Sequence, residues 1–260
     1  IKRNEDVSMK IAVGTGASSG MGREFVRQLS CFSRSLDEIW VIARRRERLE
    51  ELRGESRVPL RIFEGNLIKK QVYRELSCAL EERQPDIRML VNAAGFGKSG
   101  SVEAIASVDF RAQTDMVDLN CRALTRMTLF CLPYLGRGSR IINLASAAAF
   151  CPQPGFAVYA ATKSYVLSFS RALGAELRRR GIYVTAVCPG PVDTEFFNIS
   201  GALTNPLKKL TMAKAEDVVH RALKDSRAGR EMSVYGIAMR AAFLGTRLVP
   251  HGLIMKLMRP

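Results

Sequence analysis

The chain has 260 residues, 47% hydrophobic and 25% charged, which is the composition of one ordinary globular domain. Its six cysteines include no C-x-x-C pair and it has only two histidines, which argues against a metal site or a disulfide framework. The net charge of +15 would suit nucleic acid, an anionic membrane or an acidic ligand. The basic residues are spread widely, however, so we expect a solvated basic surface and no nucleic-acid partner.

The first eight residues are polar and no apolar segment follows them, so we expect no signal peptide. We expect residues 1–8 to be a tag or a flexible start, with Met9 as a natural first residue. Scattered thiols suit a reducing compartment, and we expect a cytoplasmic protein.

After this start, short apolar runs alternate with segments of helical periodicity. The apolar runs predict strands at residues 10–14, 38–43, 59–64, 87–92, 139–145, 182–188 and 231–235. The periodic segments predict helices after residue 20 and at residues 47–54, 69–83, 110–135, 157–180 and 214–226. The strands are apolar throughout, which indicates burial on both faces. We therefore predict a single α/β domain over residues 1–260, with a Rossmann-type, doubly wound parallel sheet of about seven strands and helices on both faces.

Two later segments are predicted to lie near the substrate. Residues 191–213 show little periodicity and include Gly201 and Pro206, so we expect a substrate loop there. Residues 236–260 form an apolar tail whose basic residues interrupt every run before the ~20 residues that a membrane span needs. We expect the tail to pack as a helix on the core or on a partner subunit. The alternative is a lid over an apolar substrate or a membrane-surface contact.

Tyr159 and Lys163 lie inside the predicted helix 157–180. Four residues make about one turn of an α-helix, so both side chains lie on one face. A free phenol has a pKa near ~10, and a cation within about 4–6 Å stabilises the phenolate and lowers that pKa. The pair is therefore a candidate general acid and base, although the same spacing is common on solvated helix faces.

A glycine-rich loop, TGASSGMG at residues 15–22, connects the first strand to the first helix. Glycines there allow a tight turn and let backbone N–H groups approach a pyrophosphate at the helix N-terminus. The loop also matches the G-x-S-x-G nucleophile elbow of α/β-hydrolases through Ser18, with Asp193 and His220 as nominal partners. Elbows usually follow several strands, whereas this loop follows the first, so the dinucleotide site is favoured.

Three arginines, Arg44, Arg45 and Arg46, follow the second predicted strand. Enzymes that use NAD commonly place Asp or Glu about 20 residues after the glycines, where it binds the ribose hydroxyls. A carboxylate there would repel a 2′-phosphate, whereas Arg can bind one through two hydrogen bonds. The arginines therefore favour NADP(H) over NAD(H), with an exposed first turn of a helix as the alternative account.

Taken together, these motifs resemble the short-chain dehydrogenase/reductase family in its compact single-domain branch. The landmarks, in chain order, are TGASSGMG at 15–22, Asn92-Ala93-Ala94-Gly95, Asn120, Ser146, Tyr159-x-x-x-Lys163 and Pro189-Gly190. The resemblance covers roughly residues 9–195 and implies hydride transfer between a nicotinamide cofactor and a carbonyl or alcohol group.

The resemblance also implies a role for each site residue. Ser146 would polarise the substrate carbonyl, and Tyr159 would exchange its proton with the alkoxide. Lys163 would lower the pKa of Tyr159 and bind the nicotinamide ribose, and Asn120 would hold a relay water. The implied cofactor-binding residues are Gly16, Ser18, Ser19, Gly20, Met21, Gly22, Arg44, Arg45, Asn66, Leu67, Asn92, Ala93, Ala94, Gly95, Tyr159, Lys163, Pro189, Gly190, Val192 and Thr194. Donors aimed at an oxygen that gains negative charge would stabilise the transition state.

Two residues depart from the family pattern. Asn66 stands where such enzymes often carry Asp against the adenine, and we expect its side-chain oxygen still to bind the adenine. Gly14 replaces the bulky residue that usually precedes the T-G pair, which removes side-chain packing from the first strand.

We therefore predict an NADP(H)-dependent oxidoreductase that interconverts a ketone and a secondary alcohol. Phe96, Phe150 and Phe156, with the loop and the tail, indicate a hydrophobic substrate of steroid-like or acyl-chain type. The resemblance implies a homodimer or homotetramer that pairs through the two long helices. The alternative function is a non-catalytic dinucleotide-binding regulator on the same fold, although such a protein would be expected to have lost one of the catalytic residues.

Overall fold

The computed structural model describes residues 8–32, 35–196 and 212–257. Parts of three predicted segments lie outside the described residues: 1–7 of the start, 197–211 of the substrate loop, with Gly201 and Pro206, and 258–260 of the tail.

Seven parallel strands form the central sheet. They are β1 Lys10–Thr15, β2 Glu38–Ala43, β3 Leu60–Glu64, β4 Asp86–Asn92, β5 Arg140–Leu144, β6 Tyr183–Val187 and β9 Met232–Ser233. Their order across the sheet is β3-β2-β1-β4-β5-β6-β9, and each neighbouring pair is parallel. Two short strands, β7 Val192–Asp193 and β8 Ala213–Lys214, pair separately. The doubly wound parallel sheet of seven strands is thus confirmed.

Helices cover both faces of this sheet. They are α1 Gly20–Phe32, α2 Arg46–Glu55, α3 Gln71–Arg83, α4 Val102–Val108, α5 Phe110–Val117, α6 Leu124–Cys131, α7 Ala157–Leu177, α8 Ala215–Arg227, α9 Ile237–Leu248 and α10 His251–Leu257. Single 3₁₀ turns lie at Leu132–Tyr134, Ala147–Ala149 and Arg178–Arg180, and a π-helical turn lies at Asp118–Ala123.

The core lies on both faces of the sheet because successive side chains of a strand alternate between them. In β1, Ile11 and Val13 pack in one buried cluster, which includes Leu80 of α3. Ala12 packs in the other cluster, which includes Phe25 of α1. All of these side chains are almost fully buried, and burial of one large apolar side chain stabilises the fold by about 1.5–3 kcal/mol.

The helix predicted at 110–135 is interrupted. It begins at Phe110 as predicted, where the Asp109 carboxylate accepts hydrogen bonds from the backbone N–H groups of Arg111 and Ala112 at 3.1 and 3.2 Å. The π-helical turn then separates α5 from α6. The sequence pattern did not predict the interruption, because the π-helical turn lies inside an otherwise helical run and leaves buried apolar residues at helical spacing on either side of it.

The basic run Arg178–Arg180 forms an exposed 3₁₀ turn directly after α7. Gly181 takes a positive φ of 72°, which suits a glycine at a helix C-terminus. The guanidinium of Arg180 donates to the carbonyl oxygen of Leu135 at 3.1 Å. Cations are favourable at this end of a helix because of its partial negative charge.

A buried carboxylate joins α8 to the last strand. Asp225 accepts hydrogen bonds from Arg221 at 2.8 Å, from Arg230 at 2.9 Å and from the hydroxyl of Ser233 at 2.8 Å. Three charged or polar donors thus satisfy an acid that is almost fully buried, and they hold the edge of the sheet in place.

The tail packs on the core, as the first of our two alternatives predicts. In α9, Met239 joins the cluster around Val166, and the ring of Phe243 lies 4.8 Å from that of Phe150. The opposite face of α9 is open, with Ile237 86% and Leu248 83% exposed. Among the described residues, no helix is both long and apolar enough to cross a membrane.

Candidate active site

The glycine-rich loop leaves no room for side chains at two of its glycines. Gly16 takes φ of +68°, and a Cβ there would lie 2.8 Å from the backbone nitrogen of Ala94. A Cβ on Gly22 would overlap the carbonyl oxygen of Gly16. The loop is thereby packed against the chain that follows β4, and α1 begins at Gly20 with its N-terminus at the carboxyl edge of the sheet. A cradle of this kind fits the pyrophosphate of a dinucleotide.

A second turn, Asn92–Gly95, is held against the loop by Thr15. Its hydroxyl accepts hydrogen bonds from the backbone N–H groups of Ala93 and Ala94, both at 3.1 Å. Thr15 was not among the predicted site residues, although its position directly before Gly16 is the signal that could have identified it. It joins the two turns that would line a cofactor.

The side chain of Asn92 is directed into the protein. Its amide nitrogen donates to Asn143 of β5 at 2.9 Å and to Thr128 of α6 at 3.1 Å. Asn143 in turn donates to Ser170 of α7 at 2.9 Å. All four side chains are buried, so Asn92 ties together strands and helices below the site.

The three arginines after β2, Arg44, Arg45 and Arg46, lie in different environments. The guanidinium of Arg45 lies 3.4 Å from the hydroxyl of Ser18 in the glycine-rich loop. Arg46 instead pairs with Glu50 and Glu64, at 3.5 and 3.8 Å. Arg44 is exposed beyond the end of β2. The contact with a guanidinium suits Ser18 for anion binding and not for the role of a hydrolase nucleophile, which needs a neighbouring base.

Just after β3, the side-chain oxygen of Asn66 is used differently from our expectation. The side-chain oxygen of Asn66, which we expected to bind adenine, accepts a hydrogen bond from the backbone N–H of Ile68 at 3.0 Å. Such a bond caps a turn. Leu67 is buried, and its carbonyl oxygen accepts from the hydroxyl of Tyr73 at 2.9 Å. A Cβ on Gly14 would lie 3.5 Å from the side chain of Val26, an ordinary contact distance, so a lack of space for Cβ does not explain this glycine.

Ser146 and Tyr159 meet at the end of β5. Ser146 begins the 3₁₀ turn Ala147–Ala149, where its hydroxyl accepts from the backbone N–H of Ala148 at 3.1 Å. Burial raises the pKa of Tyr159 to about 12, and a hydrogen bond with Ser146 opposes that rise. The phenol is therefore protonated at neutral pH. Two hydroxyl groups in contact can both donate to one substrate oxygen.

Lys163 lies beneath this pair. Its ammonium donates to the carbonyl oxygen of Leu144 at 2.7 Å and lies 5.6 Å from the centroid of the Tyr159 ring. Burial lowers the pKa of Lys163 to about 8. Burial also raises the pKa of the neighbouring thiols, to about 11 for Cys121 and about 12 for Cys188, and these two groups partly oppose the fall in the Lys163 pKa.

The expected lowering of the Tyr159 pKa by Lys163 is therefore not what this structure gives. The net direction is upward, because burial penalises the phenolate more than its surroundings stabilise it. The geometry of the pair on one helix face is nevertheless as predicted, since both residues lie buried in α7.

Asn120 sits in the π-helical turn and holds the chain after Gly95. Its oxygen accepts from the backbone N–H of Phe96 at 3.0 Å, and its nitrogen donates to the carbonyl oxygen of Phe96 at 2.9 Å. The same nitrogen donates to the hydroxyl of Thr162 at 3.0 Å. Both amide hydrogens are thus used within the protein, which makes Asn120 a brace between the turn 92–95 and α7.

The chain after β6 lies across the site. The carbonyl oxygen of Pro189 accepts from the backbone N–H of Ala147 at 2.8 Å, which joins this chain to the Ser146 segment. A Cβ on Gly190 would lie 2.6 Å from the sulfur of Met239, so the tail helix packs directly over Gly190. Val192 is buried in β7. Met239 was not among the predicted site residues, because helical periodicity alone does not say which strand end a tail helix covers.

Aromatic rings surround Tyr159. The ring of Phe156 stacks on it at 4.3 Å and that of Phe196 lies 5.5 Å away, with Phe96 in the same cluster. Phe150 packs instead against Phe243 of the tail, so the three phenylalanines predicted to face substrate do not form one group. Within the described residues, no cluster of His, Cys, Asp and Glu could hold a metal ion.

Comparison with known proteins places this arrangement in context. A family model described as short chain dehydrogenase matches residues 10–202. A sulfoacetaldehyde reductase of Chromohalobacter salexigens is 35% identical over 187 residues, which cover 70% of this chain and 72% of that protein. A short-chain dehydrogenase from Sphingobium yanoikuyae, solved in complex with NADPH, superimposes with a TM-score of 0.75 at 28% identity, over 94% of this chain and 95% of that one. A bulky-bulky ketone specific alcohol dehydrogenase from Comamonas testosteroni superimposes with a TM-score of 0.72 at 26% identity, over 95% and 94%.

Proposed function

The chain belongs to the short-chain dehydrogenase family, and on that premise we propose that it is an NADP(H)-dependent oxidoreductase that interconverts a hydrophobic ketone and its secondary alcohol. That it is an oxidoreductase of alcohol and carbonyl groups follows from its family; the cofactor preference and the kind of substrate are our proposal. The observation that carries the proposal is the contact between Ser146 and Tyr159 above Lys163, at the end of β5.

The residues present fit a nicotinamide dinucleotide. The cradle at Gly16 and Gly22 would receive the pyrophosphate, and the turn Asn92–Gly95 would line the nicotinamide half. Ser18 and Arg45 form a donor pair that fits the 2′-phosphate of NADP(H). When bound, the nicotinamide supplies or accepts the hydride.

The side chains handle the proton and the oxygen. Ser146 Oγ and Tyr159 Oη would both donate to the substrate oxygen, and the Tyr159 proton would pass to that oxygen during reduction. A phenol whose pKa is about 12 holds its proton until the oxygen becomes strongly basic. Lys163 Nζ, fixed by the Leu144 carbonyl, would favour the phenolate that this transfer leaves behind. We assign Asn120 a positioning role, because it holds Phe96 and Thr162 and so supports both sides of the site.

Support for a hydrophobic substrate comes from the walls of the site. Phe96, Phe156 and Phe196 pack around Tyr159, and the tail covers Gly190 through Met239. The similar enzyme from Comamonas testosteroni is named for bulky ketones, whereas the reductase from Chromohalobacter salexigens acts on the small, anionic sulfoacetaldehyde. An apolar wall offers a sulfonate neither a positive charge nor hydrogen-bond donors, so we favour steroid-like or acyl-chain ketones.

Pairing of subunits through the long helices is part of the proposal. Phe110 and Val117 of α5, Leu129 of α6 and Tyr165 of α7 are all exposed, with Phe110 at 78%. Exposed apolar side chains on neighbouring helices are typical of an interface. We expect light scattering to give a dimer or tetramer and Leu129→Lys to reduce that mass, while Leu248→Lys in the tail leaves it unchanged.

Nucleotide binding and turnover test the function together. NADPH and NADH are titrated by fluorescence into the wild type, Arg44→Ala, Arg45→Ala and Tyr159→Phe. We expect NADPH to bind more tightly than NADH and Arg45→Ala to weaken NADPH alone by about tenfold, the range of one charged hydrogen bond. Tyr159→Phe should keep its affinity for NADPH and lose turnover of hydrophobic ketones by at least about 10²-fold.

Other outcomes would correct the proposal in defined ways. Equal affinity for both nucleotides would remove the argument from the arginines. Faster turnover of small polar aldehydes than of steroid or acyl ketones would overturn the substrate class. A protein that binds NADPH but turns over no ketone, and whose biological effect survives Tyr159→Phe, would be the non-catalytic regulator.

A further inference from the structure

A carboxylate of this chain binds to the groups that we assign to the cofactor phosphate. Glu195, directly after Thr194, lies 2.9 Å from Arg45 Nη2 and 3.9 Å from Arg48 Nη2. It also forms a hydrogen bond with the side chain of Ser19 in the glycine-rich loop. The same guanidinium of Arg45 contacts Ser18. An anion therefore already occupies the junction between the loop and the end of β2.

Its neighbours hold Glu195 over the loop from both sides. A Cβ on Gly20 would lie 3.4 Å from the side chain of Thr194. On the other side, the ring of Phe196 lies 5.5 Å from that of Tyr159. The three residues 194–196 thus run from the glycine-rich loop to the candidate acid.

The chemistry of the contact is that of a phosphate site. The hydrogen bond from Arg45 holds the pKa of Glu195 below its ordinary value, so the carboxylate is ionised at neutral pH. A phosphate monoester offers three acceptor oxygens and roughly −1.5 to −2 charges, against two oxygens and one charge for a carboxylate. The phosphate is therefore the stronger partner for Arg45, and repulsion prevents both anions from sharing it.

We propose that Glu195 limits the preference for NADP(H) over NAD(H) by binding Arg45 and Ser19 in the nucleotide-free protein, from which the 2′-phosphate of NADP(H) must displace it. The inference rests on the proposed function, in that it takes NADP(H) as the cofactor. NAD(H) has a hydroxyl at that position and cannot take over the guanidinium from Glu195. The carboxylate thus lowers the affinity for NADP(H), the only one of the two nucleotides that would use the arginine, and leaves the affinity for NAD(H) as it is.

Glu195→Gln is the informative substitution, because it keeps the shape of the side chain and removes its charge. The side chains of Glu195 and Arg45 are 40% and 43% exposed, and a pair of that kind contributes little. We expect NADPH to bind roughly two- to fivefold more tightly to Glu195→Gln, with NADH unchanged. In the Arg45→Ala background the same substitution should leave the affinity for NADPH unchanged, since the arginine for which the two anions compete is gone.

A matched control removes an equal charge nearby. Glu51→Gln takes a carboxylate from α2 that pairs with Arg23 at 3.4 Å and is 53% exposed. It should leave the affinities for NADPH and NADH as in the wild type. Thermal unfolding of all variants, and binding of 2′,5′-ADP against 5′-ADP, complete the set without requiring any substrate.

Each result has one meaning. Equal tightening of NADPH and NADH would place the competition at the pyrophosphate and overturn the assignment to the 2′-phosphate. Weaker NADH binding with NADPH unchanged would make Glu195 a ligand of the ribose hydroxyls, also against the proposal. If Arg45→Ala weakens NADPH while Glu195→Gln changes nothing, only this inference fails. If the wild type does not prefer NADPH and Arg45→Ala leaves the affinity for NADPH unchanged, the proposed cofactor preference itself fails.

Discussion

Burial of the Lys163 ammonium predicts a particular dependence of stability on pH. Its pKa falls from an ordinary 10.5 to about 8 in the folded protein. Between these values the unfolded chain binds the proton and the folded protein does not, so the free energy of unfolding rises with pH in that window. At about 1.4 kcal/mol per pKa unit, the contribution of Lys163 grows by about 2 kcal/mol from pH 7 to pH 9.5.

Lys163→Met removes the titrating group while keeping an unbranched side chain of similar length. In urea unfolding, we expect the free energy of unfolding of the wild type to rise by about 2 kcal/mol more than that of Lys163→Met between pH 7 and pH 9.5. In thermal unfolding the relative gain should be roughly 4–8 °C. The buried thiols also titrate in this range once unfolded, but they are common to both proteins and cancel in the difference.

Lys224→Met is the matched control, because it removes an exposed ammonium from α8. Its stability should follow that of the wild type in parallel across the same range. A Lys163→Met profile that also runs parallel to the wild type would refute the reasoning. It would mean that the ammonium is hydrated in the folded protein and that burial does not set its pKa.

Three further predictions concern the glycine-rich loop, the turn beside it and the edge of the sheet. Gly22→Ala should abolish detectable NADPH binding in the titration because its Cβ overlaps a backbone oxygen, whereas Gly54→Ala, with open space around it, should stabilise α2 by about 0.5–1 kcal/mol in thermal unfolding. Thr15→Val leaves two backbone N–H groups without their acceptor and should lower stability by about 1–3 kcal/mol, and Thr15→Ser should restore most of it. Asp225→Asn should lower the free energy of unfolding by roughly 2–3 kcal/mol; an unchanged urea midpoint would contradict the view that this buried acid secures the sheet edge.

The parallel sheet of about seven strands could be predicted because it depends on features that recur along the chain. Each apolar run is long enough to be buried on both faces, and each is separated from the next by one helical segment. The candidate site followed from its motifs and from the family resemblance that they carry: Gly16, Asn92 and Ser146 lie at or just beyond the ends of neighbouring strands, and the carboxyl ends of parallel strands lie at one edge.

Other features depend on contacts between distant segments, which a single sequence does not encode in its periodicity. The pairing of Glu195 with Arg45 joins residues 150 positions apart. The packing of Met239 over Gly190 needs the direction of a tail helix. The pKa of Tyr159 was predicted in the wrong direction, because burial depends on how much of the aromatic cluster closes around the ring.

The hydrogen-bond partner of the Asn66 side-chain oxygen also could not be predicted from the sequence. An amide that ends a strand can bind a ligand or cap the following turn with equal ease, and only the backbone conformation decides between them. Here the turn at Ile68 takes the oxygen. The adenine contact therefore stays a prediction for this residue.

The π-helical turn makes the site sensitive to the length of the chain as well as to residue type. Each residue of an α-helix adds about 100° of rotation, and the surplus residue within Asp118–Ala123 lets α5 and α6 keep independent rotations. Deletion of any one residue of this turn would restore a continuous helix and rotate α6 by roughly 100° relative to α5. Either Asn120 would lose its hydrogen bond with the backbone of Phe96, or Leu124 would leave the core. Among relatives of this protein, we therefore expect insertions and deletions to avoid this turn even where substitutions are tolerated.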